Sequence, residues 1–187
     1  MNIKKTLFAT TAAAILALTS LHASAQAKDP EVGGAAMYPT KTIVENAVAS
    51  PIHKTLVAAV KAAGLVDTLN SKGPFTVFAP TDDAFNKLPA GTVDTLVKPE
   101  NKATLTKILT YHVVPGKISS KQLLKDIKKG GGKFMAKTVE GEDLTFTESG
   151  GVITITDAKG GTAAITTADV FQSNGVIHVI DTVLMPS

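Results

Sequence analysis

The spacing of apolar residues changes near residue 130. Before it, they recur mostly at helical intervals, and after it they alternate with polar ones. Leu56, Ala59, Val60 and Ala63 follow a helical period, predicting a helix over 50–69 with Pro51 in its first turn and Gly64 bending or ending it. Phe75, Val77 and Ala79 alternate with Thr76 and Phe78, a short strand over 74–79 that Pro80 stops. Thr81 then suits a helix N-cap, with Asp82 and Asp83 complementing the positive end of a short helix through Leu88. A further helix starts at Pro99 with Ala103, Leu105, Ile108 and Leu109 on its apolar positions, and leads into a strand over 111–114 closed by Pro115-Gly116. Ser120 is expected to cap an amphipathic helix that presents Leu123, Leu124 and Ile127 and ends at Gly130-Gly131-Gly132.

Beyond that point the period is two. Leu144/Phe146, Ile153/Ile155, Ala163/Ile165 and Val176/Ile180 mark four strands, with turns at 150–151, 160–161 and 174–175. Strands so close in sequence favour antiparallel pairing. Helices mostly first and strands mostly last give an α+β class, and no internal repeat is visible.

The first 25 residues break from this pattern. Lys4 and Lys5 precede an apolar run over 7–18, and Ala23-Ser24-Ala25 offers a small-x-small cleavage site. The run has 12 residues, short of the ~20 that span a bilayer, so the segment is expected to be a secretory signal removed after Ala25. The product is expected to be secreted or periplasmic, with no transmembrane segment in the mature chain. Residues 26–39 read as a flexible lead-in, and 40–187 as one domain.

Export alters the charge balance. The full chain carries 19 basic residues, all Lys, and 16 acids, whereas the mature part carries 17 Lys and 16 acids for a net of +1. The excess is concentrated: residues 117–137 hold seven lysines and one acid, Asp126, for +6, and the remaining mature chain is −5. Lys121, Lys125 and Lys128 fall at i, i+4 and i+7, on one helical stripe that Lys129 extends at the end. This stripe is either the solvated face of an amphipathic helix or a patch for an anionic polymer or membrane surface.

Composition excludes several chemistries. Cysteine is absent, which removes disulfides, thiol nucleophiles and thiolate metal sites. Tryptophan and arginine are absent and aromatics are 5%, a poor supply for stacking nucleic-acid bases or for bidentate phosphate recognition, so no nucleic-acid partner is expected. No Gly-x-Ser-x-Gly elbow, P-loop or Gly-x-Gly-x-x-Gly occurs. Thr81-Asp82-Asp83 reads as a helix start ahead of an acid–base pair. His112 and His178 lie in apolar runs without metal-ligand spacing, and backbone hydrogen bonds are the expected use of both. No metal or other cofactor is expected. Asn174-Gly175 reads as a turn with positive φ, and Asp181 is expected to bond nearby backbone N–H groups.

Three blocks carry a resemblance. Gly73-Pro74-Phe75-Thr76-Val77-Phe78-Ala79-Pro80-Thr81-Asp82-Asp83-Ala84-Phe85, the segment from Ile108 through Tyr111-His112 to Gly116, and the segment from Ser173-Asn174-Gly175 through His178 and Asp181 to Pro186 resemble, in order, the signature blocks of the fasciclin domain. The resemblance implies a wedge of two small, mainly antiparallel β-sheets with helices packed at one side. It also implies a non-catalytic, exported binding module acting in cell-surface, matrix or biofilm adhesion through protein or carbohydrate contacts. Adhesive contacts in the family are associated with the Tyr-His segment and with an Asp-Ile pair upstream of the closing block. Tyr111 and His112 match the first, and Asp169 and Val170, followed by Phe171, occupy the second. Thr167 and Ala168 depart from the Asn-Lys that precedes this pair in animal members. Two other function classes remain beside the binding module: a polyanion binder through the lysine segment, and an exported hydrolase.

Overall fold

The computed structural model describes residues 30–187. The expected secretory signal and its cleavage site lie outside them. The chain order is β1 (Glu31–Val32), β2 (Ala35–Ala36), α1 (Ile43–Ala49), α2 (Lys54–Ala63), α3 (Val66–Asn70), β3 (Phe75–Pro80), α4 (Asp82–Asn86) and α5 (Thr92–Leu96). A 3-10 turn (Pro99–Asn101) then precedes α6 (Lys102–Tyr111), β4 (Val113–Pro115), α7 (Ser120–Lys129), β5 (Lys133–Lys137), β6 (Asp143–Ser149), β7 (Val152–Thr156), β8 (Thr162–Gln172) and β9 (Gly175–Ile180).

The seven strands from β3 to β9 form one bent layer in the order β4-β3-β9-β8-β7-β6-β5. Its two halves share β8, whose register against β9 shifts between Ile165 and Thr167 and again between Thr167 and Val170. Such bulges bend a strand, and the eleven-residue β8 thereby turns from one half into the other. The wedge is mainly antiparallel, as the close spacing of strands requires. The exception is β3, which runs parallel to β9 from Phe75↔Gly175 to Pro80↔Ile180. These two strands are far apart in sequence, so no hairpin dictates their direction. Lying between β4 and β9, β3 is buried on both faces after Phe75 rather than on alternate residues.

Several elements depart from the sequence pattern. The expected helix over 50–69 is two helices, because Gly64 takes a left-handed φ of 73° and caps α2. Pro51 lies ahead of α2, not in its first turn. Ahead of both, Thr42 and Glu45 form a reciprocal capping box that starts α1, a helix the apolar spacing does not mark. Within the expected lead-in, β1 and β2 make a hairpin that buries Val32 and Met37. Tyr111 closes α6 instead of opening a strand, and Ser119, not Ser120, is the N-cap of α7. The edge strand β5 escapes the period-two pattern because its lysines and exposed Met135 obscure the alternation.

Two apolar clusters result. One joins the hairpin, α1, α2, α3, α4 and α6 to β3 and β9 through aliphatic side chains such as Leu56, Val60, Ile108 and Ile177. The other lies between α7 and the β5–β8 half, around Phe78, Tyr111, Leu123, Phe146 and Ile155.

Candidate functional site

The bulge in β8 sets the geometry of the most polar cluster. Asp169 sits there at φ 60°, a left-handed conformation that Asp tolerates better than most residues. Its carboxylate points to the start of α7: Oδ1 accepts from Ser120 N at 2.7 Å, and Oδ2 takes a short hydrogen bond from Ser120 Oγ. Asp169 N donates to His178 Nδ1 at 3.2 Å, which leaves the ring proton on Nε2, donated to the Ile118 carbonyl at 2.8 Å. His178 also stacks on Phe78 with centroids 5.6 Å apart. Burial lowers its pKa, outweighing the Ile118 carbonyl and the Asp169 charge, so the ring is neutral. Ser, Asp and His meet here without forming a nucleophilic triad. Ser120 gives its proton to Asp169, and both His178 nitrogens are committed to backbone groups, so no base faces the hydroxyl.

Tyr111 and His112, expected at a contact surface, are interior. The Tyr111 hydroxyl donates to Asp143 O at 3.2 Å and accepts from Ala158 N at 2.9 Å, and burial pushes its pKa up to about 12. His112 donates from Nδ1 to Ile108 O at 2.8 Å and accepts at Nε2 from Leu184 N at 3.0 Å. Burial holds its pKa down at about 4. The polar atoms of both side chains are used in tying α6 to β6, the turn after β7 and the C-terminal segment, so neither presents a free group to a partner. Val170 is also fully buried. Of the five expected contact residues, Phe171 is exposed and Asp169 half-buried. Lys117 Nζ lies 4.9 Å from the centre of the Phe171 ring, a cation–π contact at the rim where β8 ends and α7 begins.

The remaining signature residues hold the frame. Thr81 Oγ1 accepts from Ala84 N at 3.2 Å and caps α4. Asp82 reaches back to α2, whose N-cap His53 makes no side-chain capping bond, and accepts from Thr55 N at 2.8 Å. Asn174 accepts from Ile43 N at 3.0 Å and donates to Leu69 O at 2.7 Å and Ser71 O at 3.0 Å, joining α1 and α3 to the β8–β9 turn. Neither Asn174 nor Gly175 has a positive φ, contrary to expectation. Gly175 is required for a different reason: a Cβ there would lie 2.1 Å from the Phe75 carbonyl oxygen, where β9 passes β3. Asp181 Oδ1 accepts from Ala164 N at 2.8 Å, and its Oδ2 lies 3.5 Å from Lys87 Nζ.

Lys121, Lys125, Lys128 and Lys129 are exposed along α7, opposite buried Leu123 and Ile127. Among the described residues none of the four has an ion pair. Asp126, the acid of this segment, instead accepts from Gln122 Nε2 at 2.9 Å. Lys129, Lys133, Phe134 and Met135 are among the residues that line an open groove at the end of α7.

Sequence reasoning missed a third buried histidine. His53 packs under α1, with Nδ1 2.8 Å from Ser50 Oγ and the Ala79 carbonyl against its ring. The unforeseen α1 hides it in the sequence. Among the described residues, no group of three or more His, Cys, Asp or Glu is placed to hold a metal ion, and no helix is long and apolar enough to cross a membrane.

Comparison with known proteins agrees with this frame. The family model of the fasciclin domain matches residues 51–186. Protein sll1483 of Synechocystis is 50% identical over 159 residues, covering 85% of this chain and 81% of that protein. The cell surface glycolipoprotein MPB83 of Mycobacterium bovis is 36% identical over 160 residues, covering 83% of this chain and 64% of that protein. The solved FAS1 domain pair of the insect cell adhesion molecule Fasciclin I superposes with a TM-score of 0.69 at 24% identity, over 79% of this chain and 51% of that one. The matched residues span the parallel β3–β9 pair and the bulged β8, and the chain belongs to the fasciclin domain family.

Proposed function

We propose that the chain is an exported, non-catalytic adhesion module that contacts surface or matrix proteins or carbohydrates through the rim where β8 meets α7. The observation that carries this reading is the exposed Phe171 ring beneath Lys117, next to Asp169. An exposed aromatic beside a cation is the kind of anchor interfaces use, and Asp169 holds the adjoining loop in place through Ser120. The cell-surface description of MPB83 and the adhesive role named for Fasciclin I support the setting. Export rests on removal of residues 1–25, which leaves a mature chain starting at Gln26. The test is retention of cells and isolated matrix on immobilised mature protein. Phe171→Ala should reduce retention several-fold with the melting temperature within a degree or two of the parent. Full retention by Phe171→Ala and by Lys117→Gln would move the contact elsewhere.

A second reading has its own observation. The unpaired lysines of α7 present positive charge to solvent on an otherwise acidic body, which suits an anionic polymer or membrane surface. Salt dependence separates it from the first.

A further inference from the structure

His178 joins the two sides of the β8–α7 rim from beneath. Its Nε2 donates to the Ile118 carbonyl at 2.8 Å, and Ile118 follows Lys117, whose ammonium lies over the Phe171 ring. Its Nδ1 accepts from Asp169 N at 3.2 Å, and Asp169 stands two residues before Phe171 on the bulged β8. The ring is fully buried and stacked on Phe78, so a charge on it is met by the rim rather than by water.

The two bonds respond differently to a proton. A proton added at Nδ1 leaves Nε2–H in place as the donor to Ile118, whereas Nδ1 stops accepting and faces the Asp169 N–H donor to donor. Ile118 has a second hold, because its N–H donates to Thr76 Oγ1 at 2.9 Å. Asp169, at its left-handed φ of 60°, is otherwise held by its carboxylate, which accepts from Ser120 N and Ser120 Oγ. That carboxylate is also the anion within reach of an imidazolium. Among the described residues of β3 and β9 no other side chain is ionisable, and β8 brings only Asp169. The loop and the first turn of α7 bring two cations, Lys117 over Phe171 and exposed Lys121. Burial lowers the pKa of His178 from its ordinary 6.5, with the Ile118 carbonyl and the Asp169 charge pulling the other way, so the ring is neutral at pH 7 and acid charges it.

We infer that His178 is an acid-operated latch on the adhesive rim, closed at neutral pH and opened by a proton on Nδ1. Opening releases Asp169 N and draws the Asp169 carboxylate from Ser120 to the imidazolium, while Thr76 and Nε2 keep Ile118 in place. Phe171 then shifts relative to Lys117, and the contact loosens. Asp169 is the two-position element that the proton biases. The inference rests on the reading of this rim as the contact surface and adds its regulation.

The test takes the mature protein downward from neutral pH and follows imidazole ¹⁵N resonances, hydrogen-exchange protection of the Asp169 and Ser120 amides, and retention of cells. His178 Nδ1 should protonate while the chain is folded, and protection at both amides should drop in the same interval. Retention should fall several-fold with the same midpoint and recover on return to neutral pH. In His178→Asn, Oδ1 can accept from Asp169 N without titrating, so the drop in retention across that interval should disappear. Protection that stays level while His178 protonates would overturn the latch, and so would a His178 that remains neutral until the chain unfolds. These two readouts use the parent protein without a partner, so they decide even where His178→Asn fails to fold. Absence of retention at neutral pH would instead refute the adhesive reading, with the amides still judging the latch.

Discussion

The two apolar clusters solve the same packing problem with different side chains. The cluster under α7 is built on rings: Phe78 and Phe146 meet at 5.3 Å, and Phe134 and Phe146 at 5.9 Å. The cluster under α1 and α2 is largely aliphatic, and it contains a cavity of about 50 Å³ that His53 helps to line. His112 and His178 bond at both nitrogens, to the backbone of Ile108 and Leu184 and of Asp169 and Ile118, whereas the side-chain hydrogen bond of His53 is that of Nδ1 with Ser50 Oγ. Rigid rings against a pleated sheet fill space closely. Short helices carrying Ala and Val leave a gap between them.

The severest way to break the contrast is to hollow the dense side. Phe146 is fully buried at the centre of the ring cluster, so Phe146→Ala should cost about 3–5 kcal/mol in urea unfolding. Val44→Leu, on the wall of the cavity on the other side, should change stability by less than about 1 kcal/mol, because free space already adjoins it. Equal losses in the two variants would show that the clusters are packed alike.

Acid tests the wired histidines. The His112 pKa is about 4 in the fold, below its ordinary value of 6.5, so the unfolded chain binds the proton more readily between those values. Stability from this group is therefore fully present above about pH 6.5 and falls as pH drops toward 4, by on the order of 3 kcal/mol. His178, also held low by burial, acts in the same direction. Unfolding free energies at pH 7 and pH 4.5 should differ accordingly, and flat stability across this range would mean that both rings are solvated.

Much of the frame was legible in the sequence because its signals are local. Thr81 and the polar–apolar alternation of β6 and β7 announce a cap and two strands without tertiary help. The start of α1 has a local mark in the Thr42-x-x-Glu45 capping box, but its apolar spacing gives no helix and its anchoring on Asn174, far along the chain, is not local. The candidate site was read only in part. Tyr111-His112 is a motif whose residue types suit an interface and an interior equally, and only the partners Asp143, Ala158 and Leu184 decide between them. Gly175 is required by its closeness to Phe75, a long-range fact that the Asn-Gly turn pattern does not carry. His53 carries no sequence mark at all: its burial arises from α1 and the hairpin closing over it.

The smallest expected effect on stability, and the sharpest on function, concerns the lysines outside the dense cluster. Lys121, Lys125 and Lys128 project from α7 into solvent and have no ion pair among the described residues. Replacing all three with Gln should therefore shift stability by no more than about 1 kcal/mol, most of it from Lys128, which meets the C-terminal dipole of α7 in its last turn. Their charge has a separate consequence if it is used. On a phosphate polymer such as polyphosphate, each lost contact should flatten the dependence of log affinity on log salt by roughly 0.7–0.9, so the triple variant should lose roughly 2–3 units of slope. Phe171→Ala carries no charge change and should leave that slope intact while weakening cell retention. A triple variant with the parental slope would reduce the lysines to a solvated helix face, with the rim at Phe171 as the remaining contact. A flattened slope together with full cell retention would separate two binding surfaces on one domain: an ionic one on α7 and an adhesive one at the end of β8.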